Sequence, residues 1–394
     1  MATLNYDCPA CGGPLKFNPD KQKFTCEYCL SEFDPKTVQE MYAQQEKKVD
    51  SEEIEEQEAQ AHPSEDGEAV IYTCPTCGAE VMTSATTAAT HCFYCHNPIV
   101  LGGRLSGEYT PDKVLPFVLT KEKAIDKFLA MCKKRHFLPA GFASKERFEK
   151  FSGVYFPYWY VDQQKQAALT ATCKKVRRWR SGNTEYTETS IYNVSRAGDL
   201  IIRNVAESAL GNDDDGMLKE AQKEQMDSKN IKTEADRQKF NALKKKQAKQ
   251  LGDMLNGVHP FDVTKMQPFA MSYLSGFTAE KRDLGKDDVR EKIDARMHQY
   301  AEQLLKDTIT GYDNVSVDTF NEKTDLEAWS YGLLPVWITT YNFKDEILPF
   351  AINGQTGKTY GRLPLNPGKL AIFSAIIAAA AFGLSLLGGM LFLC

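Results

Sequence analysis

Eight of the eleven cysteines fall into two sets with one spacing. Cys8-x2-Cys11 is followed by Cys26-x2-Cys29, and Cys74-x2-Cys77 by Cys92-x2-Cys95; fourteen residues separate the pairs in each set, and the sets are offset by 66. Each pair makes a tight knuckle whose two thiolates reach one ion, and the intervening hairpin brings the second pair round. Four thiolates at tetrahedral corners suit zinc, so two zinc ions are expected. The alternatives are disulfides, which a reducing cytoplasm disfavours, and an iron–sulfur site. A four-cysteine zinc leaves no open position for water, so both sites read as structural. Gly12 and Gly78 follow the first knuckles, where the turn needs a permissive backbone. His91 and His96 flank the last knuckle, outside an already complete ligand set. Each ribbon is too small to fold by burial alone, and metal binding, on the order of 10–16 kcal/mol in comparable peptides, supplies the difference.

The remaining cysteines are isolated. Cys132 shares a helical face with Ile125, Phe128 and Leu129 and reads as core; Cys173 sits in a strand-like run; Cys394 is terminal. The elements that must position the knuckles divide the chain into seven segments. Ribbon 1 covers 1–38, an acidic linker 39–69 and ribbon 2 70–104. An α+β region with a β-rich second half follows over 105–216, then a polar lysine-rich helical segment over 217–258. A helix plus β-hairpin region covers 259–366, and an apolar end 367–394. Glu46 to Glu68 holds ten acidic and two basic residues, a solvated helix or a tether that leaves the ribbons separately mobile. Thr120–Lys134 reads as an amphipathic helix, and Val289, Ile293, Met297, Tyr300 and Leu304 keep the helical period of another. The phrases "GVYFPYWYVD" and "GLLPVWITTY" each open a β-rich section, as a duplicated unit or as two edge strands starting at a proline.

The chain of 394 residues carries a net charge of −5, which argues against a nucleic-acid binder acting through its whole surface. One local exception is "KKVRRWR". Lys174, Lys175, Arg177, Arg178 and Arg180 surround Trp179 and can meet phosphates of nucleic acid or anionic lipid; the Ser181-Gly182-Asn183 turn that follows also fits a plain exposed hairpin tip. Enzyme signatures are scarce, and no catalytic residue is assigned. "INGQTGKTYGR" ends like a phosphate-binding loop, but Ile352 stands where that loop needs glycine, so the stretch reads as a β-hairpin around Asn353-Gly354. Asp213-Asp214-Asp215 lacks the rest of a calcium loop.

No apolar N-terminal leader is read in "MATLNYDCPACGG". From Leu370 to Cys394 run 25 uncharged residues, about 37 Å as a helix against a hydrocarbon core of about 30 Å. A transmembrane helix is therefore expected, and Arg362 and Lys369 before it place residues 1–369 in the cytoplasm. Ala381, Ser385 and Gly389 recur every four residues, as in a homo-oligomer paired through that helix, though an Ala- and Gly-rich span also produces such spacing by coincidence.

With the knuckles "CPAC", "CEYC", "CPTC" and "CFYC", the phrase "GVYFPYWYVD", "YLSGFTAE" at Tyr273–Glu280, and "LLPVWITTY" leading to "INGQTGKTYGRLP", most of the chain resembles a family of bacterial TFIIB-type zinc-ribbon membrane proteins. Some members carry a PriA-helicase label, which fails here for want of the phosphate-binding loop. The resemblance implies no catalysis. It implies a scaffold that recruits partners, some of them PspA- or SPFH-type proteins, under envelope stress.

The sequence thus sets out an α+β multidomain chain with two N-terminal four-cysteine zinc ribbons, a β-rich platform with helices, and one C-terminal transmembrane helix. The expected function is that of a non-enzymatic, single-pass adaptor at the cell membrane, its soluble part in the cytoplasm. Its ribbons are protein-binding heads that present Glu27-Tyr28 and Phe93-Tyr94. The alternative is a membrane-tethered nucleic-acid-binding protein.

Overall fold

The computed structural model describes residues 3–50, 69–73, 80–84, 87–92, 97–101, 105, 107–139, 142, 151–211, 253–343 and 346–392. The chain enters on β1 (Thr3–Leu4) and then forms a small three-stranded ribbon from β2 (Leu15–Asn18), β3 (Lys23–Cys26) and β4 (Glu32–Phe33). Alternation along β2 and β3 buries Leu15, Phe17, Phe24 and Cys26. Helix α1 (Pro35–Asp50) packs back on this ribbon: the rings of Tyr6 and Tyr42 meet edge-on at 5.0 Å, and Tyr6 Oη donates to Glu46 Oε1 at 2.7 Å.

Strands β5 (Ala69–Thr73) and β6 (Glu80–Ser84) pair as a separate hairpin. Beyond them β7 (Thr87–His91) pairs with β8 (Pro98–Leu101), and β8 also pairs with β1. The chain continues through β9 (Lys113–Val114) into α2 (Lys121–Lys133), whose N-cap Thr120 accepts from Lys123 N. The helix buries Ala124, Phe128 and Cys132, so the Cys132 thiol is core.

Two very long strands follow, β10 (Ser152–Ser181) and β11 (Thr184–Ser208). Then come β12 (Gln267–Pro268), β13 (Thr278–Glu280), α3 (Lys286–Asp307), β14 (Asn314–Phe343), β15 (Glu346–Asn353), β16 (Thr359–Gly361) and α4 (Pro367–Phe392). Among the described residues, eleven strands make one sheet, with the path β1-β8-β7-β13-β10-β14-β15-β16 and β11 on the free side of β10. The two proline-bearing phrases are not edge strands. They lie against each other in the middle of the sheet, with Tyr155 opposite Pro335 and Pro157 opposite Leu333. Pro157 falls where the neighbour of β10 changes from β13 to β11, a gap in which a missing N–H is tolerated.

Past this centre, β10, β11 and β14 continue as a three-stranded arm; thirty residues of strand span about 100 Å. Along β10, Ala167, Leu169, Ala171 and Cys173 are buried beneath Leu305 and Ile309, while the residues between them mostly face out. Helix α3 covers the arm with Val289, Ile293, Met297, Ala301 and Leu305, one i, i+4 ridge. Tyr300 and Leu304, expected in that seam, are 46% and 45% exposed because the ridge drifts past them.

The stretch resembling a phosphate-binding loop is the β15–β16 hairpin, with Gly357 at φ +76° in the turn and a strand, not a helix, after it. Asn353 makes this turn structural. Its amide donates to Val258 O and Pro260 O at 3.0 and 3.1 Å, and its Oδ1 accepts from the amides of Gln355 and Thr356. Asn353→Ala removes all four bonds at a fully buried position and is expected to cost about 3 kcal/mol in urea unfolding.

Two expectations are corrected. The architecture is a mixed α/β, strand-rich protein built on one large sheet, which draws β1, β7 and β8 into the same layer as the platform strands. The transmembrane helix, and with it the single-pass membrane location, is not supported: among the described residues no helix is long and apolar enough to cross a membrane. Helix α4 does form at the expected place. Its first turn carries a charge. That charge, Lys369, donates to Leu138 O at 2.9 Å, and Phe373 packs on Phe137 at 5.3 Å, so the start of α4 is fastened to the platform. The segment 212–252, including Asp213–Asp215 and most of the lysine-rich stretch, lies outside the described residues; Met254 and Leu255 just after it are buried.

Candidate metal centre

Cys8, Cys11, Cys26 and Cys29 come together with all four Sγ atoms within 4.8 Å of one another. Cys8 and Cys29 are 3.6 Å apart, Cys11 and Cys26 3.4 Å. Metal–sulfur bonds of about 2.3 Å at tetrahedral angles put sulfurs about 3.8 Å apart, whereas a disulfide needs about 2.05 Å. The four cysteines are free thiols, and the set can hold a metal ion.

The backbone explains why they converge. Cys8 N donates to Gly13 O at 2.6 Å and Gly12 N to Cys8 O at 2.8 Å, with Gly12 at φ +76°. The second knuckle repeats the pattern: Cys26 N donates to Ser31 O at 3.0 Å and Leu30 N to Cys26 O at 3.0 Å. Here the left-handed position is occupied by Leu30, at φ +61°, where glycine costs nothing and a leucine on the order of 1 kcal/mol. The sulfurs crowd one another electrostatically. The Ser31 hydroxyl and amide pull the Cys29 thiol down to about 6. At Cys11 the Gly13 amide pulls down, but the sulfurs of Cys26, Cys29 and Cys8 together with desolvation push it up to about 12. One thiolate forms readily and the next resists, a conflict that a bound cation resolves.

The ribbon is not a mobile head. Its buried face continues into the platform: Phe17 and Phe24 pack on Tyr273 at 5.3 and 6.2 Å. Ser275 Oγ donates to Leu15 O at 2.5 Å, and Phe17 N donates to Ser275 O at 3.2 Å. Gly276, at φ +92°, lies against Lys16, where a side chain would crowd. At the hairpin tip Gln22 Nε2 donates to Phe117 O at 2.8 Å and Lys123 pairs with Asp20 at 2.6 Å. This seat is the "YLSGF" phrase, whose role the sequence alone left unread.

Of the second set, Cys92 is described and fully buried, and Cys92 N donates to Asn97 O at 2.9 Å, the same five-residue bond as in the first ribbon. Cys74, Cys77 and Cys95 lie outside the described residues, as do Phe93 and Tyr94. The basic residues Lys174, Lys175, Arg177, Arg178 and Arg180 gather at the tip of the arm, closed by the Gly182-Asn183 turn. Trp179 stacks on Tyr186 at 5.5 Å, with the Arg177 guanidinium 5.5 Å from the Trp179 ring centre. The register sets Glu188 opposite Arg177 and Glu185 opposite Arg180, which cuts the five positive charges to a net of three.

Fold and site define a strand-rich α/β protein with a metal-capable four-cysteine ribbon built into its core. The chain is 27% identical over 283 residues, 72% of each chain, to a Bacillus subtilis (strain 168) protein described as uncharacterized protein YdjG. No family model matches the chain. No solved structure matches it.

Proposed function

We propose that this chain is a non-enzymatic zinc-ribbon adaptor that recruits a protein partner through the outer knuckle of its first ribbon. The observation that carries the reading is the pair Tyr28 and Leu30. They are 74% and 78% exposed at the tip of a closed four-cysteine cluster, and Leu30 is held in the left-handed region. A strained backbone that displays an apolar side chain to solvent marks a contact surface rather than a packing solution. Zinc is the ion of choice for four thiolates, and such a site has no open position for chemistry. The resemblance adds SPFH- and PspA-type proteins as the first partners to try.

The test is affinity capture on the tagged full chain from extract of its source cells, with and without nuclease. Tyr28→Ser with Leu30→Ser leaves the cysteines and the core untouched. It is expected to keep the metal content and to reduce capture of a discrete protein about thirtyfold, the effect of losing one hot spot. Equal capture by wild type and variant would sink the adaptor reading. The second reading, nucleic-acid binding, draws on the stacked Trp179–Tyr186 pair among cations. It requires capture that vanishes with nuclease, falls steeply with salt and is indifferent to the knuckle variant.

A further inference from the structure

A cleft of about 890 Å³ opens where α3 and the segment 253–261 meet the outer edge of β11. Its lining includes Arg203, Glu207, His259, Lys292, Arg296 and Tyr300. Three permanent cations face one carboxylate. Arg296 is committed to Glu207 and donates to Ala206 O at 2.9 Å, and Lys292 Nζ lies 3.6 Å from Glu207. Arg203 is exposed and makes no ion pair among the described residues. Among the described residues the lining therefore carries an excess of positive charge.

The edge itself is irregular. The register of β10 against β11 shifts between Val161 and Gln163, and opposite this bulge Asn204 takes φ +58°, with its amide held by Asp162 Oδ1 at 2.7 Å. Bulges re-aim side chains at sheet edges and beside sites. Behind the rim stands Tyr158, whose ring meets His259 edge-on at 5.3 Å and whose hydroxyl feels the Arg296 charge. That hydroxyl is fully buried and has no hydrogen-bond partner among the described residues. Burial, and then the charge of Lys358, holds His259 down at about 4, so it stays neutral at physiological pH and adds no competing charge.

We propose that this cleft binds a small polyanionic metabolite, its phosphate or carboxylate groups held by Arg203 and Lys292 while Arg296 stays on Glu207, and its body resting against Tyr300. The site is independent of the ribbon and of the arm tip. Its volume suits a metabolite rather than a bare ion, and the excess cations select for two or more negative charges.

The experiment is isothermal titration of the full chain with pyrophosphate and, separately, citrate, against chloride of matched ionic strength. Saturable one-to-one binding of at least one probe is expected, weakened about tenfold in Arg203→Gln and in Lys292→Gln. Arg178→Gln, which removes a cation at the arm tip, leaves it unchanged. Preference for pyrophosphate assigns phosphate chemistry and preference for citrate assigns carboxylate. Absence of saturable binding to wild type, retained affinity in both cleft variants, or an equal loss in Arg178→Gln overturns the proposal. Because none of these residues touches the cysteines or Tyr28, failure here leaves the adaptor reading standing.

Discussion

Adding zinc to metal-free protein is expected to raise the stability of the platform together with the ribbon, by about 4 kcal/mol where free zinc exceeds its dissociation constant a thousandfold. The corresponding rise in thermal midpoint is about 10 °C. The reason is the seat. Leu15, Phe17 and Phe24 belong to the same buried cluster as Tyr273, Phe117 and Phe277, so the four-cysteine ribbon closes one wall of the main core. Cys26→Ser removes a buried ligand and is expected to abolish the zinc-dependent shift. Tyr273→Ala deletes the ring between ribbon and platform; zinc then still binds, and the shift shrinks because the two units are uncoupled. Calorimetry with and without chelator, alongside metal analysis, checks this. A midpoint indifferent to zinc in the wild type would contradict it. A ratio of two zinc ions per chain would bring Cys74, Cys77, Cys92 and Cys95 into the same account.

Lys165→Met is the second change with a large expected effect. Lys165 lies under α3 at the base of the arm, with Nζ 2.9 Å from Glu322 Oε1; the two side chains are 4% and 19% exposed. The second carboxylate oxygen of Glu322 has no partner among the described residues, and His298 Nδ1 lies 3.3 Å from the first. Removing the lysine strands a carboxylate in the interior, which costs about 3–5 kcal/mol. Lys165→Met combined with Glu322→Leu replaces the pair with apolar volume and is expected to recover most of that loss. Urea unfolding of the two single variants and the double supplies the cycle. Single variants within about 1 kcal/mol of wild type would show that water reaches the pair and screens it.

Parts of this were legible from local pattern. The knuckle spacing places the four thiols of the first ribbon because the geometry of a Cys-x2-Cys turn is local. The α2 and α3 helices follow from their apolar period, the β15–β16 hairpin from Asn353-Gly354, and the hairpin tip at "KKVRRWR" from the glycine that closes it. The transmembrane expectation failed because it read one apolar run in isolation, whereas among the described residues no helix is long and apolar enough to cross a membrane and the start of α4 is fastened to Phe137 and Leu138. The mobile-ribbon expectation failed for a related reason. An acidic stretch says nothing about which surfaces on either side of it fit together.

What the sequence determined by itself was chemistry set within a few residues: the four-thiol cluster, the turns, the periods of helix and strand. What only the tertiary structure decided was adjacency. It set "GVYFPYWYVD" against "GLLPVWITTY" at the centre of one sheet, seated the ribbon on Tyr273 and Ser275, paired Lys165 with Glu322, and gathered Arg203, Lys292 and Arg296 around one cleft. Each of those groupings joins segments at least 89 positions apart in the chain. Local propensity carries no information across such distances; burial of apolar surface does, because it rewards whichever distant faces complement each other.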